Sequence, residues 1–193
     1  MIHIHPETKV LIFDCDGTIA DNMVIHNESW KIVAKRHQID ISCDELPHYN
    51  GMPAIDIFYK IAKNVNSDVD PMVIVNEKEA LANENIHLAA PIKPVVDIIR
   101  DYHSRLPMVV ISGGTSDNVN KTLSTLDINN SFDWIITADD DHPTKDSPLA
   151  FTKIADKLGV KPDLCHVFED GKLGLINAIK ANMMVTDARV FHP

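Results

Sequence analysis

The chain has 193 residues, 45% of them hydrophobic and 24% charged, enough apolar material for a full core without disulfide or metal staples. Its net charge of −10 excludes a general nucleic-acid or membrane-surface binder, since both partners reward clustered Lys and Arg. A small anionic substrate stays open, because a few local cations and a bound metal can dominate a site.

Cys15, Cys43 and Cys165 are too few and too scattered for a disulfide framework or a zinc site. With no signal-peptide pattern and no apolar run of membrane length, a cytoplasmic protein is expected.

Val10-Leu11-Ile12-Phe13 is a short apolar run that predicts a buried first strand. Asp14-Cys15-Asp16-Gly17-Thr18 follows at once. Alternate side chains of extended backbone share a side, so Asp14 and Asp16 are expected in one crevice with Cys15 turned away. Two adjacent carboxylates repel, and a hard cation such as Mg²⁺ is their natural partner.

From 20 to 91 the pattern is helical, with no convincing strand. Apolar spacing predicts helices over 22–37, 53–62 and 71–86, the last capped by Asp70. That stretch is too long for a loop and predicts a small helical domain, 20–91, inserted into an α/β core made of 1–19 and 92–193.

The core resumes with a helix over 94–105 and a second strand over 108–111. Ser112-Gly113-Gly114-Thr115 then opens a helix over 115–126; a hydroxyl and free N–H groups at a helix start make an anion site. The third strand, over 134–137, leads to the acidic run Asp139-Asp140-Asp141, expected to be solvated, and to Lys145 just before a helix capped by Ser147 and stopped at Gly159. The fourth strand, over 166–169, ends in Glu169-Asp170-Gly171. A helix over 174–181 and a strand over 183–186 follow. Strands alternating with helices predict a Rossmann-like parallel sheet, with Asp14, Asp16, Glu169 and Asp170 converging on a metal if the first and fourth strands are neighbours.

The order of these motifs resembles that of the haloacid dehalogenase superfamily of phosphohydrolases, and the resemblance covers nearly the whole chain, with 20–91 in the place of that family's cap. Val167-Phe168-Glu169-Asp170 resembles the sugar-phosphate phosphatase and β-phosphoglucomutase branch. The resemblance implies Asp14 as the nucleophile that forms an aspartyl-phosphate, Asp16 as general acid and base, and Thr18 as support for their loop. It implies Ser112, Gly113 and Lys145 as phosphate binders. Asp14, Asp16 through its backbone carbonyl, and Asp170 are implied as Mg²⁺ ligands, with Glu169 beside them. In this branch a proline usually follows the lysine; here Asp146 does.

His26 and Trp30, four apart on a helix, share a face and match the first cap helix of that branch, where His26 is expected to contact a sugar hydroxyl or to assist Asp16. Asn50-Gly51-Met52-Pro53 resembles the cap loop that faces the site. Where β-phosphoglucomutases place an arginine for a distal phosphate, this chain has Ala54; Lys60 or Lys78 substitutes only if the cap folds differently. The implied activity is hydrolysis of a small phosphorylated sugar by a monomer, most like the bacterial phosphatases acting on fructose 1-phosphate and 6-phosphogluconate. The alternatives are a β-phosphoglucomutase-like phosphotransferase and a non-catalytic sugar-phosphate-binding protein.

Overall fold

The computed structural model describes residues 2–63, 65 and 69–192. In chain order its elements are β1 (Val10–Phe13), β2 (Ala20–Asp21), α1 (Met23–Arg36), β3 (Asp40–Ile41), α2 (Ala54–Ile61), β4 (Ala62–Lys63), α3 (Pro71–Asn85) and β5 (Ala90–Pro91). Then come α4 (Lys93–Tyr102), β6 (Met108–Ile111), α5 (Ser116–Thr125), β7 (Trp134–Ile136), α6 (Leu149–Leu158), β8 (Cys165–Glu169), α7 (Lys172–Lys180) and β9 (Met184–Asp187).

Five strands form one parallel sheet in the order β7-β6-β1-β8-β9. The first and fourth predicted strands are therefore neighbours. β1, β6 and β8 are buried at every position because helices cover both faces. Alternation splits their side chains between two layers. Leu11, Phe13, Met108, Val110 and Phe168 pack with Val95, Ile99, Val119 and Leu123 of α4 and α5. Val10, Ile12, Val109, Ile111 and Val167 pack with Phe151 and Ile154 of α6 and Ala178 of α7. Cys15 lies in the first layer, turned from the crevice as expected.

Helix ends follow local chemistry. Asp70 accepts from the Met72 N–H at 2.9 Å, Thr115 caps α5, and Gly159 stops α6 with φ +66°. One cap is shifted: Pro148 occupies the cap position of α6, while the Ser147 hydroxyl still accepts from the Leu149 N–H at 3.2 Å. The helix expected from 174 begins at Lys172.

Residues 20–91 hold a third cluster, in which Trp30, Val33, Phe58, Ile61, Ile74 and Val75 are buried together and α1 packs on α3. The expectation of no strands here is corrected. β2 pairs antiparallel with β5 where the segment leaves and rejoins the sheet, and β3 pairs with β4 at its far side. Two-residue strands carry no readable period.

Candidate active site

Every candidate group on the sheet side stands at the carboxyl end of a strand, where open α/β sheets bind ligands. Past β1 the chain turns through Gly17, with φ +80°, and closes on itself through Gly17 N–H to Ala20 O (2.8 Å) and Ile19 N–H to Cys15 O (2.9 Å). Glycine is required twice over, since a Cβ there would fall 2.4 Å from Asp170 Oδ2. Past β6, the Ser112 hydroxyl accepts from the Gly114 N–H at 3.0 Å, which leaves its own hydrogen free to donate. Lys145 arrives on the loop before α6, its carbonyl held by the Asn177 amide at 3.0 Å. Asp146 beside it is exposed and bonded to Thr144 Oγ1, so its charge meets solvent and not the site.

Lys145 is buried and donates to both Asp14 Oδ1 and Glu169 Oε2, the latter at 2.8 Å. Glu169 Oε1 also accepts from the N–H groups of Asp170 (3.1 Å) and Gly171 (2.8 Å). Asp170 accepts from the Thr18 hydroxyl and from the Asn50 amide, each at 3.3 Å. Burial and the neighbouring Asp14 charge push the Glu169 carboxyl up to about 8 and that of Asp170 up to about 7, against the opposing pull of Lys145. Burial likewise pushes Asp14 up, opposed by Lys145. Burial alone would lower Lys145, but Asp14 and Glu169 outweigh it and hold the ammonium charged.

The carboxylates of Asp14, Glu169 and Asp170 offer oxygens within 4.8 Å of one another. Asp14 Oδ2 is buried and has no hydrogen-bond partner among the described residues. An orphaned carboxylate oxygen in a crowded, all-oxygen cluster is the environment a hard divalent cation relieves, so the residues fit a metal. The convergence of four carboxylates is corrected in one respect. The Asp16 side chain does not join the cluster; it turns toward the helical segment. Glu169, committed to Lys145 and two N–H groups, stands as a support beside Asp14 and Asp170.

Asp16 Oδ1 accepts from the Asn22 amide and lies 3.5 Å from His26 Nε2. Behind it, Lys78 Nζ is 2.9 Å from His26 Nδ1 and 2.9 Å from Glu79 Oε1, and 5.5 Å from the centre of the Trp30 ring. An ammonium only donates, so Nδ1 accepts and Nε2 carries the hydrogen that faces Asp16. Burial raises the Asp16 carboxyl, but His26, Asn22 and Lys78 more than offset it and hold it at about 2. Glu79 Oε2 in turn accepts from the Asn118 amide of α5, and Asn83 donates to Asp117 at 2.7 Å. α3 is thus tied to α5.

Between the two halves lies a small cavity of about 50 Å³. Its floor holds Asp14, Asp16, Ser112 and Gly113; its roof is apolar at Met23, Leu46, Met52, Ala54 and Ile57 and polar at His26, Lys78 and Glu79. Asn50 and Gly51 do more than face the cavity. Asn50 reaches Asp170, and the Gly51 carbonyl lies so close to Gly113 that a Cβ on the latter would fall 2.5 Å from it.

Of the candidate residues, the fold brings Asp14, Ser112, Gly113, Lys145, Glu169, Asp170, Asn50 and Gly51 to one place, with Asp16 and His26 beside them. Lys60 is exposed. Lys78, expected at the site only under a different cap fold, is in it. Sequence reasoning missed Asn22, Glu79, Asn118 and Asn177. For Lys78 and Glu79 a signal existed: they fall on the same helical stripe as the buried Ile74, Val75 and Ala82, and a charged pair on an apolar stripe requires a partner.

Residues 11–188 match the family described as haloacid dehalogenase-like hydrolase. The chain is 33% identical over 181 residues to the fructose-1-phosphate phosphatase YqaB of Escherichia coli K12, covering 93% of this chain and 96% of that one. It is 26% identical over 186 residues to a validoxylamine A 7'-phosphate phosphatase of Streptomyces hygroscopicus subsp. limoneus, covering 95% and 87%. Among solved structures, a β-phosphoglucomutase from Clostridium difficile superposes with a TM-score of 0.78 at 23% identity, covering 94% and 92%.

Proposed function

The chain belongs to the haloacid dehalogenase-like hydrolases, and from that membership we propose that it is a Mg²⁺-dependent phosphatase of small sugar phosphates, of the fructose 1-phosphate or 6-phosphogluconate kind, working through an aspartyl-phosphate. One observation carries this reading: Asp14 lies at the floor of the cavity with one oxygen tied to Lys145 and the other without a partner among the described residues. The relative called a fructose-1-phosphate phosphatase supports the substrate class.

In this reading Asp14 and Asp170 hold Mg²⁺ with the Asp16 backbone carbonyl, and Glu169 steadies Lys145. The ion supplies charge neutralisation for the approach of an anionic nucleophile to an anionic phosphate. Ser112 and the Gly113 N–H bind the phosphoryl oxygens. An Asp14 oxygen attacks phosphorus; the P–O bond to the sugar breaks, and the leaving alkoxide takes a proton from Asp16. Water then attacks the same phosphorus, gives a proton to Asp16, and releases phosphate and free Asp14. In the resting protein Asp16 is held ionised, so the acid role needs a proton gained on binding; a dianionic phosphate beside the carboxylate raises its pKa and favours that gain. His26 Nε2–H orients the carboxylate.

Residues 20–91 act as a cap that selects the sugar and excludes water, over a core of 1–19 and 92–193. Hydrolysis is favoured over a mutase because the roof offers Ala54 in place of a cation, and Lys78 is committed to His26 and Glu79.

The test is phosphate release from a panel that includes fructose 1-phosphate, 6-phosphogluconate and β-glucose 1-phosphate, with Asp14→Asn as control. Release from one or a few substrates, lost on adding EDTA and in Asp14→Asn, is expected. Conversion of β-glucose 1-phosphate to glucose 6-phosphate with a bisphosphate primer, and no free phosphate, would replace this reading by the mutase.

A further inference from the structure

The stretch after α7 carries no motif, yet it ends against the catalytic loop. Asp187 of β9 lies opposite Glu169 of β8 in the sheet register, which brings the following residues over the strand end that bears Asp170. A 3-10 turn, Ala188–Phe191, then forms. It is fixed from both sides. Asp187 accepts from the Arg189 N–H (3.1 Å) and guanidinium Nε (2.8 Å), while Ala188 is fully buried and Phe191 packs on the first core layer. His192, half-buried, follows directly, and its Nε2 lies 2.6 Å from the carbonyl oxygen of Gly17. A carbonyl only accepts, so Nε2 donates.

Gly17 is the residue between Asp16 and Thr18. Its φ of +80° is one of several wells open to glycine, and its amide hydrogen bonds to Ala20 O at 2.8 Å. The next peptide, Gly17–Thr18, is held at its N–H by Cys15 O at 3.3 Å inside the loop, and its carbonyl is held from outside the loop by His192. Turning the Gly17–Thr18 peptide would swing the Thr18 hydroxyl off Asp170 and re-aim Asp16. On the other side Asp170 fills the space beside the Gly17 Cα, where a Cβ would meet it at 2.4 Å.

We infer that His192 is a positioning residue of the reaction: its hydrogen bond to the Gly17 carbonyl fixes the peptide between Asp16 and Thr18 and so holds the general acid and the Asp170 support in place. This rests on the roles given above to Asp14 and Asp16. It assigns a function to a segment that lies outside the four strand-end motifs and outside the cap.

The experiment compares wild type, His192→Leu and His192→Gln, since a glutamine amide places a donor where Nε2 stands. Two readouts are taken on the full-length protein: steady-state phosphate release, and hydrogen–deuterium exchange of the peptide spanning residues 14–20, with a peptide from α4 as reference. For His192→Leu, kcat is expected to fall about tenfold with KM within about twofold, one neutral hydrogen bond's worth of loop order. Loop exchange accelerates about tenfold while α4 and the melting temperature stay near wild type. His192→Gln recovers most of both. Unchanged loop exchange in His192→Leu overturns the inference. So does a rate loss that follows the melting temperature and that His192→Gln does not rescue. If the wild type releases no phosphate but His192→Leu still loosens the loop, the phosphatase reading fails and the positioning contact stands.

Discussion

Two lysines in this protein are equally buried, each 4% exposed, and each is clasped by two partners. Lys145 sits on a loop at the strand ends between Asp14 and Glu169. Lys78 sits inside α3 between His26 and Glu79. The first faces two carboxylates and carries part of the charge balance of the floor of the cavity. The second faces an imidazole and one carboxylate, and through His26 it acts on Asp16. The comparison teaches that a loop lysine can be aimed at reacting atoms, whereas a helix lysine reaches them only through the side chains its helix face allows.

Removing each lysine in turn separates these roles. Lys145→Met leaves Asp14, Glu169 and Asp170 to neutralise by taking up protons, so the proposed nucleophile is lost. Phosphate release is expected to fall by about 10³-fold or more, measured as kcat; a loss below tenfold would break the comparison.

Lys78→Met is expected to cost about 3 kcal/mol of stability by stranding Glu79, and about tenfold in rate through a less well oriented Asp16. Adding Glu79→Gln, which keeps an acceptor for Asn118, restores most of the stability in urea melts and none of the rate. Recovery of both together would mean that Lys78 serves structure alone.

Gly113→Ala probes the seam between the halves. Its Cβ would fall 2.5 Å from the Gly51 carbonyl and 2.6 Å from Met52, so the loop bearing Gly51 and Met52 must retreat from the loop bearing Ser112 and Gly113. KM is expected to rise about fivefold to tenfold, the worth of about one lost substrate contact, with circular dichroism unchanged. An unaltered KM would show that this loop does not shape the substrate site.

The last effect concerns pH. His166 of β8 is held down to about 4 by burial, from an ordinary 6.5. Its folded value is depressed, so the neutral form stabilises the fold above pH 6.5, and that contribution is lost as pH falls through 4. The ceiling is about 3 kcal/mol. His166→Gln, which keeps a partner for Thr186, should flatten the stability curve between pH 6.5 and 4 relative to wild type. Identical curves would remove His166 as the source.

The strand-end chemistry was legible because each motif is local: a few apolar residues followed at once by Asp14-Cys15-Asp16-Gly17-Thr18, by Ser112-Gly113-Gly114, or by Glu169-Asp170-Gly171. The five parallel strands and the helices between them follow from the same patterning. The bond of the Asp16 carboxylate to Asn22 was not legible, because alternation places a side chain on a side and does not choose its partner. Nor were Glu79–Asn118 and His192–Gly17, which join segments far apart in sequence and are set by helix and sheet packing. The pairs β2–β5 and β3–β4 were too short to leave a period.

The sheet order also constrains how the molecule comes to exist. β1 lies between β6 and β8, so the strand that leads to Asp14 lacks one neighbour until Met108–Ile111 is made and the other until Cys165–Glu169 is made. The Trp30–Phe58 cluster, built from residues 30–75 alone, has its partners in hand long before. During synthesis the helical segment can collapse first, while β1 waits as an unpaired apolar edge, the kind of intermediate that invites aggregation. Because β8 carries Glu169 and the turn into Asp170, the event that gives β1 its second neighbour also delivers the last carboxylates. For this chain, the enclosure of β1 and the assembly of the acidic cluster are one step.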